Sequence, residues 1–96
     1  METIKGRNVK ITDTFWSGKM KTVHDKVIPY QWEALNDRVA GAEKSGCIQN
    51  FRAAAGQIEA PHYGWYFQDS DLYTWLEAGA YVLAAPPDAA LEEKAD

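Results

Sequence analysis

The fold turns on residues 67–84, which read Phe67-Gln68-Asp69-Ser70-Asp71-Leu72-Tyr73-Thr74-Trp75-Leu76-Glu77-Ala78-Gly79-Ala80-Tyr81-Val82-Leu83-Ala84. Asp69 or Ser70 is suited to cap a helix over 71–84, and Asp71 in its first turn would complement the positive helix end. Leu72, Trp75, Leu76, Gly79, Ala80 and Leu83 recur on one face. The opposite side is also apolar, with Tyr73, Ala78, Tyr81 and Val82, and leaves Thr74 and Glu77 as the clearly polar interior residues. A helix apolar on nearly every side is normally buried in the core of a larger protein. A lone carboxylate such as Glu77 on that helix must be paired, neutral or aimed into a cleft.

Working back from this helix, Tyr63, Trp65, Tyr66, Phe67, Tyr73 and Trp75 place six of the chain's 12 aromatic residues within 13 positions. Before them, residues 47–55 read as a short helix with Ile48, Phe51 and Ala55 on one side and Gly56 placed to close it. Residues 40–46 read as a polar loop. Ser17 is suited to cap a helix carrying Met20, Val23 and Val27, which Pro29 should break or kink. Pro29 then opens a helix with Trp32, Leu35 and Val39 on one face, stopping at Gly41. At the start, Asn8-Val9-Lys10-Ile11-Thr12 alternates as a half-buried strand does, and Asp13-Thr14 reads as a turn. Past the apolar helix, Pro86-Pro87 should end it and Asp88 should cap a last helix over 89–95. Isolated helices below about 12 residues are marginal in water, so this one is expected to fray. An apolar helix without neighbours and a last helix without a second half make the chain read as the leading part of a longer protein.

Ninety-six residues allow one small domain or part of one. The formal charge of −4 is unevenly spread: residues 1–52 hold nine of the ten Lys and Arg against six acids, while residues 53–96 hold one base against eight acids. Because the aromatic half is the acidic half, stacking and cationic groups do not interleave, which argues against a nucleic-acid partner. No apolar run approaches the roughly 18 residues that span a bilayer, and the first residues lack the apolar core of a secretory signal. A membrane partner is not expected and the cytoplasm is the expected location. Cys47, the one cysteine, has no internal disulfide partner.

Four stretches taken in order are similar to one family. They are residues 8–16 (Asn-Val-Lys-Ile-Thr-Asp-Thr-Phe-Trp), 27–33 (Val-Ile-Pro-Tyr-Gln-Trp-Glu), 50–56 (Asn-Phe-Arg-Ala-Ala-Ala-Gly) and 67–77 (Phe-Gln-Asp-Ser-Asp-Leu-Tyr-Thr-Trp-Leu-Glu). Together they resemble the N-terminal end of the bacterial β-L-arabinofuranosidases of glycoside hydrolase family 127. The resemblance covers nearly all of this chain and only the opening of a several-fold longer family polypeptide. It implies a mainly α fold, the opening portion of an (α/α)6 barrel preceded by one short β-strand, with residues 1–96 as the N-terminal part of an incomplete catalytic domain. It also implies retaining hydrolysis of β-L-arabinofuranosides, with a cysteine thiolate nucleophile, a zinc ion held by cysteines and a glutamate, and a second glutamate as acid/base. Zinc would stabilise such a thiolate at neutral pH. The family's catalytic and zinc-binding residues are expected outside this chain; Cys47 does not match their motif, so no cofactor and no activity are expected of the chain alone. Thr74 departs from the family's usual basic residue, and residues 38–46 are a variable region.

Gln68, Asp69, Asp71 and Trp75 are the candidate sugar-binding residues. Capping and helix-end electrostatics explain Asp69 and Asp71 structurally, while contact with sugar hydroxyls is the functional alternative. Trp65, Tyr66 and Trp75 could stack on a sugar or fill a core. Cys47 reads as a buried, inert thiol. His24 on the first helix and His62 beside Pro61 have no second metal ligand at useful spacing. If the chain stands alone, the aromatics at 63–75 could instead serve a sugar-binding or protein-interaction module, or its apolar helix could drive self-association.

Overall fold

The computed structural model describes residues 1–84 and 87–96. Its helices are α1 (Thr14–Thr22), α2 (Ile28–Leu35), α3 (Cys47–Ala54), α4 (Asp69–Leu83) and α5 (Ala89–Ala95), with a 3-10 turn at Gly6–Asn8 and a π turn at Val23–Val27. The fold is therefore mainly helical, as expected. No strand forms among the described residues: Val9 and Ile11 stay exposed in extended chain. An alternating segment becomes a strand only when another strand takes up its backbone groups, and none lies beside it.

Asp13 and Thr14 do not form the expected turn before a Ser17 cap. The Trp16 amide donates to Asp13 Oδ1 at 2.7 Å, so Asp13 caps α1 and the helix starts earlier. Aspartate ranks among the best caps, and its carboxylate satisfies an amide that has no partner within the helix. Pro29 breaks nothing. The Ile28 amide donates to the carbonyl of Val23, five residues back, and the π turn carries the helix across the proline without interruption. A proline has no N–H to give and crowds the carbonyl four residues before it; widening one turn accommodates both.

The α2 helix ends well before Gly41. Asp37 adopts a left-handed φ of 59°, the Asp37 amide donates to Ala34 O at 3.0 Å and the Arg38 amide to Glu33 O at 2.9 Å. This pair of reversed bonds closes a helix at a left-handed residue, a position aspartate tolerates better than most side chains. The Arg38 guanidinium then forks onto Glu33 at 2.7 and 2.8 Å and holds that carboxyl below its usual range. Helix α3 ends as expected: Gly56 sits at φ 71°, its amide donates to Ala53 O and the Gln57 amide to Arg52 O.

The buried side chains among the described residues are Ile28, Leu35, Cys47, Trp75 and Leu91, drawn from four helices that meet around α4. Trp75, 3% exposed, packs against Trp32 with ring centroids 4.8 Å apart and planes tilted by 34°. Its indole N–H donates to Ile28 O at 3.0 Å, tying α4 to α2. The last helix is docked rather than frayed. The Leu91 amide donates to Asp88 Oδ1 at 3.0 Å, the expected cap, and Leu91 is 6% exposed against α4. Pro86, in the expected stop between the two helices, lies outside the described residues.

The layout is open. Its Cα radius of gyration is 15.9 Å, where a compact domain of this length has about 12.5 Å. Its accessible surface is 7778 Å² at 10.8 kDa, against about 5,500 Å² for a compact monomer of that mass. The excess is largely apolar: Phe15, Trp16, Met20, Val23 and Val27 on one helical rod, and Tyr73 and Tyr81 on α4, are all exposed. Glu77 is exposed too and joins no ion pair among the described residues, because the face it shares is open to water.

Candidate functional site

The candidate residues lie at the start of α4, on a support built from the loops before it. The Asp37 carboxylate accepts the amides of Ser45 (2.7 Å) and Gly46 (3.0 Å), which folds the 38–46 loop back onto the end of α2. Gly46, at φ 66°, opens α3, and a Cβ there would lie 2.7 Å from Tyr63 Cδ1. From α3, the Asn50 side chain donates to Tyr63 O at 2.8 Å and accepts from the Tyr63 amide at 3.0 Å. One amide side chain thus satisfies both backbone groups of a residue 13 positions away, in a segment without secondary structure of its own.

Gly64 follows at φ 80°, with the space where a Cβ would stand occupied by Ser45 O and the Gln68 amide. The Trp65 amide donates to Gln68 Oε1 at 3.0 Å, fixing the Gln68 side chain. Its NH2 group makes no bond among the described residues, so the donor side of that amide is free. Asp69 and Ser70 do not cap α4: the helix begins at Asp69 with Gln68 as its N-cap and no side-chain cap bond, while Asp69 Oδ1 accepts from the adjacent Ser70 amide and Ser70 Oγ donates to Phe67 O. Both aspartates still occupy the first turn, where the positive helix end favours carboxylates.

The two aspartates line different hollows. Asp69 faces one of about 240 Å³ together with Asn50, His62, Trp65 and Tyr66. Asp71 faces another of about 420 Å³ with Gln31, Glu43, Ser45 and Thr74. Adjacent-but-one residues at a helix start point apart. The aromatic candidates separate as well. Trp75 is enclosed in the core, whereas Trp65 is 64% and Tyr66 87% exposed, and Trp65 lies nearly parallel to Phe67 with centroids 6.1 Å apart. The core reading of Trp65 and Tyr66 therefore fails in this chain, because the side of the loop that carries them has nothing packed on it.

Cys47 fulfils its reading as a buried thiol. It is 1% exposed and its Sγ donates to Gln68 O at 3.2 Å. Burial pushes the thiol up, with the carboxylates of Asp71, Asp69 and Asp37 adding to the effect against the opposing Leu72 amide. Thiolate chemistry needs the opposite environment. We expect the native chain at pH 7.5 to react with an aromatic disulfide reagent at least about tenfold more slowly than the urea-unfolded chain, since only the exposed thiolate attacks. Equal rates in a stopped-flow assay would show Cys47 to be open.

No group of three His, Cys, Asp or Glu side chains among the described residues is arranged to hold a metal ion. They do not fit the zinc centre implied by the family resemblance, and no chemistry is assigned to a metal held by them. No helix among the described residues is long and apolar enough to cross a membrane. The structural roles of Asp37 and Asn50 were not read from sequence. An Asn-Asp pair directly after an apolar helical face was the signal available for the first; the second carries none.

The helical segment described above also matches known proteins in sequence and in structure. The family model for the β-L-arabinofuranosidase GH127 catalytic domain matches residues 8–96, and the chain belongs to that family. A non-reducing end β-L-arabinofuranosidase of Bifidobacterium longum subsp. longum is 40% identical over 101 residues, covering 93% of this chain and 15% of the relative. A crystal structure of a GH127 β-L-arabinofuranosidase from Geobacillus stearothermophilus T6 matches with a TM-score of 0.89 at 53% identity, over 93% of this chain and 14% of that one.

Proposed function

We propose that this chain supplies the N-terminal part of the (α/α)6 barrel of a retaining β-L-arabinofuranosidase, and that it binds substrate without performing the bond cleavage. The match over residues 8–96 to the GH127 catalytic domain carries the reading. The large open apolar surface, suited to packing against further barrel helices, supports it. In this reading the nucleophilic cysteine, the zinc ligands and the acid/base glutamate come from other segments, and the buried Cys47 is not among them. The Asp69 and Asp71 carboxylates accept hydrogen bonds from sugar hydroxyls, and the free NH2 of Gln68 donates one. Trp75 is a positioning residue that holds the start of α4 through its bond to Ile28, and Trp65 offers an exposed ring face to the sugar. The aromatic loop as a stand-alone module is not favoured, since the family match extends over the helices as well as the loop.

The test is a chimera in which residues 8–96 replace the matching segment of the Geobacillus stearothermophilus enzyme. Hydrolysis of an aryl β-L-arabinofuranoside should be retained in the chimera and absent from the 96-residue chain. In the chimera, Asp71→Asn should raise KM about tenfold, the loss of one charge-assisted hydrogen bond. A folded but inactive chimera, or turnover by the chain alone, overturns the proposal.

A further inference from the structure

His24 lies in the π turn between α1 and α2, partly buried, with a carboxylate at each ring nitrogen. Its Nε2 is 2.7 Å from Asp88 Oδ2 and its Nδ1 is 3.0 Å from Asp25 Oδ1. The Nε2–Asp88 contact has hydrogen-bond geometry and the Nδ1–Asp25 contact is an ion-pair distance; a carboxylate oxygen only accepts, so both are favourable only when both ring nitrogens carry protons. Asp88 is already committed on its other oxygen, where Oδ1 caps α5 through the Leu91 amide. Asp25 is likewise shared, its Oδ2 with Lys21 at 2.5 Å. Other titratable or charged groups around the ring are Lys19 and Lys21 from α1, Tyr81 from α4 and Lys94 from α5.

We propose that His24 is a protonation-dependent latch: the imidazolium bridges Asp25 of the π turn to the Asp88 cap of α5 and holds that helix down, and the neutral ring, with one N–H, releases one of the two carboxylates. What the latch secures is part of the core. Leu91 seats against α4 beside Gly79, whose Cβ position lies 3.9 Å from Leu91 Cδ1. The π turn carries His24, which meets Asp88 64 positions away.

The acid limit follows from the carboxylates. The Leu91 amide, and next His24, hold Asp88 below its usual range; Lys21 chiefly holds Asp25 there. A depressed carboxyl stabilises the fold above its unfolded value, near 3.9, and loses that contribution only as pH falls through the folded value. Both carboxylates therefore stay charged, and able to accept from the ring, in mildly acidic solution.

Amide hydrogen exchange of the whole chain, corrected for intrinsic rates, tests this between pH 5 and pH 8. Protection of the Leu91 amide should fall roughly two- to fivefold across that range, the span of partly exposed ion pairs, while amides of α3 keep theirs. In His24→Gln the Leu91 protection should be independent of pH and match the wild-type value at pH 8. The wild-type profile is informative even if that variant fails to fold. A flat wild-type profile, an equal fall in His24→Gln, or an equal fall at α3 would overturn the latch.

Discussion

Trp75→Ala should abolish the cooperative thermal transition of the chain as followed by circular dichroism at 222 nm. Trp75 is the one buried aromatic in the core, and removing a buried tryptophan typically costs about 3–5 kcal/mol. Whole domains of this length are stable by roughly 5–14 kcal/mol, and an open chain with so much exposed apolar surface belongs at the low end. The loss is structural as well as energetic: α4 touches α2, α3 and α5, and the Trp75 indole packs on Trp32 and bonds Ile28 O. Trp75→Phe keeps a ring against Trp32 and gives up the N–H bond. It should cost about 1–2 kcal/mol, a hydrogen bond with some packing. Trp65→Ala, at an exposed position, should move stability by no more than about 0.5 kcal/mol. If Trp75→Ala melts like the parent chain, the core is not organised around α4.

Gly64→Ala has the next largest effect. Its φ of 80° is strained for any residue with a Cβ, which costs about 1–3 kcal/mol. The added methyl would also stand 2.7 Å from the Ser45 carbonyl oxygen, a backbone atom held in place because the Ser45 amide is bound to Asp37. The loop cannot yield without breaking the Asp37 clamp or displacing the Gln68 side chain. Gly46→Ala is the informative contrast. It is also at positive φ, but its Cβ meets only Tyr63 side-chain atoms, the exposed ring at 2.7 Å and the Cβ at 3.0 Å, and no backbone atom. We therefore expect Gly64→Ala to lower the midpoint more than Gly46→Ala. In the chimera described above it should also raise KM, because Gln68 and the start of α4 move together. Equal midpoints for the two variants would mean that the Ser45 carbonyl is free to give way.

The candidate sugar-binding residues were legible as a motif but not as a geometry. Gln68, Asp69 and Asp71 stand out in the sequence because they form a carboxylate-rich helix start. That Gln68 has its oxygen spent on the Trp65 amide, and that the two carboxylates serve different hollows, depends on loops folding back from residues 37 and 50. Trp65 and Trp75 looked equivalent in sequence, as two tryptophans in one aromatic run. One is enclosed and one is exposed because helices pack on one side of α4 and nothing packs on the loop before it.

Local chemistry alone determined the helices expected over 47–55 and 71–84, which form as Cys47–Ala54 and Asp69–Leu83, the Gly56 stop, the Asp88 cap and the buried thiol of Cys47, since each depends on groups a few residues apart or on simple apolarity. Order and spacing of four short stretches were enough for the family. Only the tertiary structure decided that residues 8–12 stay unpaired, that α5 docks and that His24 meets Asp88. Those outcomes are set by partners distant in sequence, whose contact depends on how the helices cross and not on any local preference.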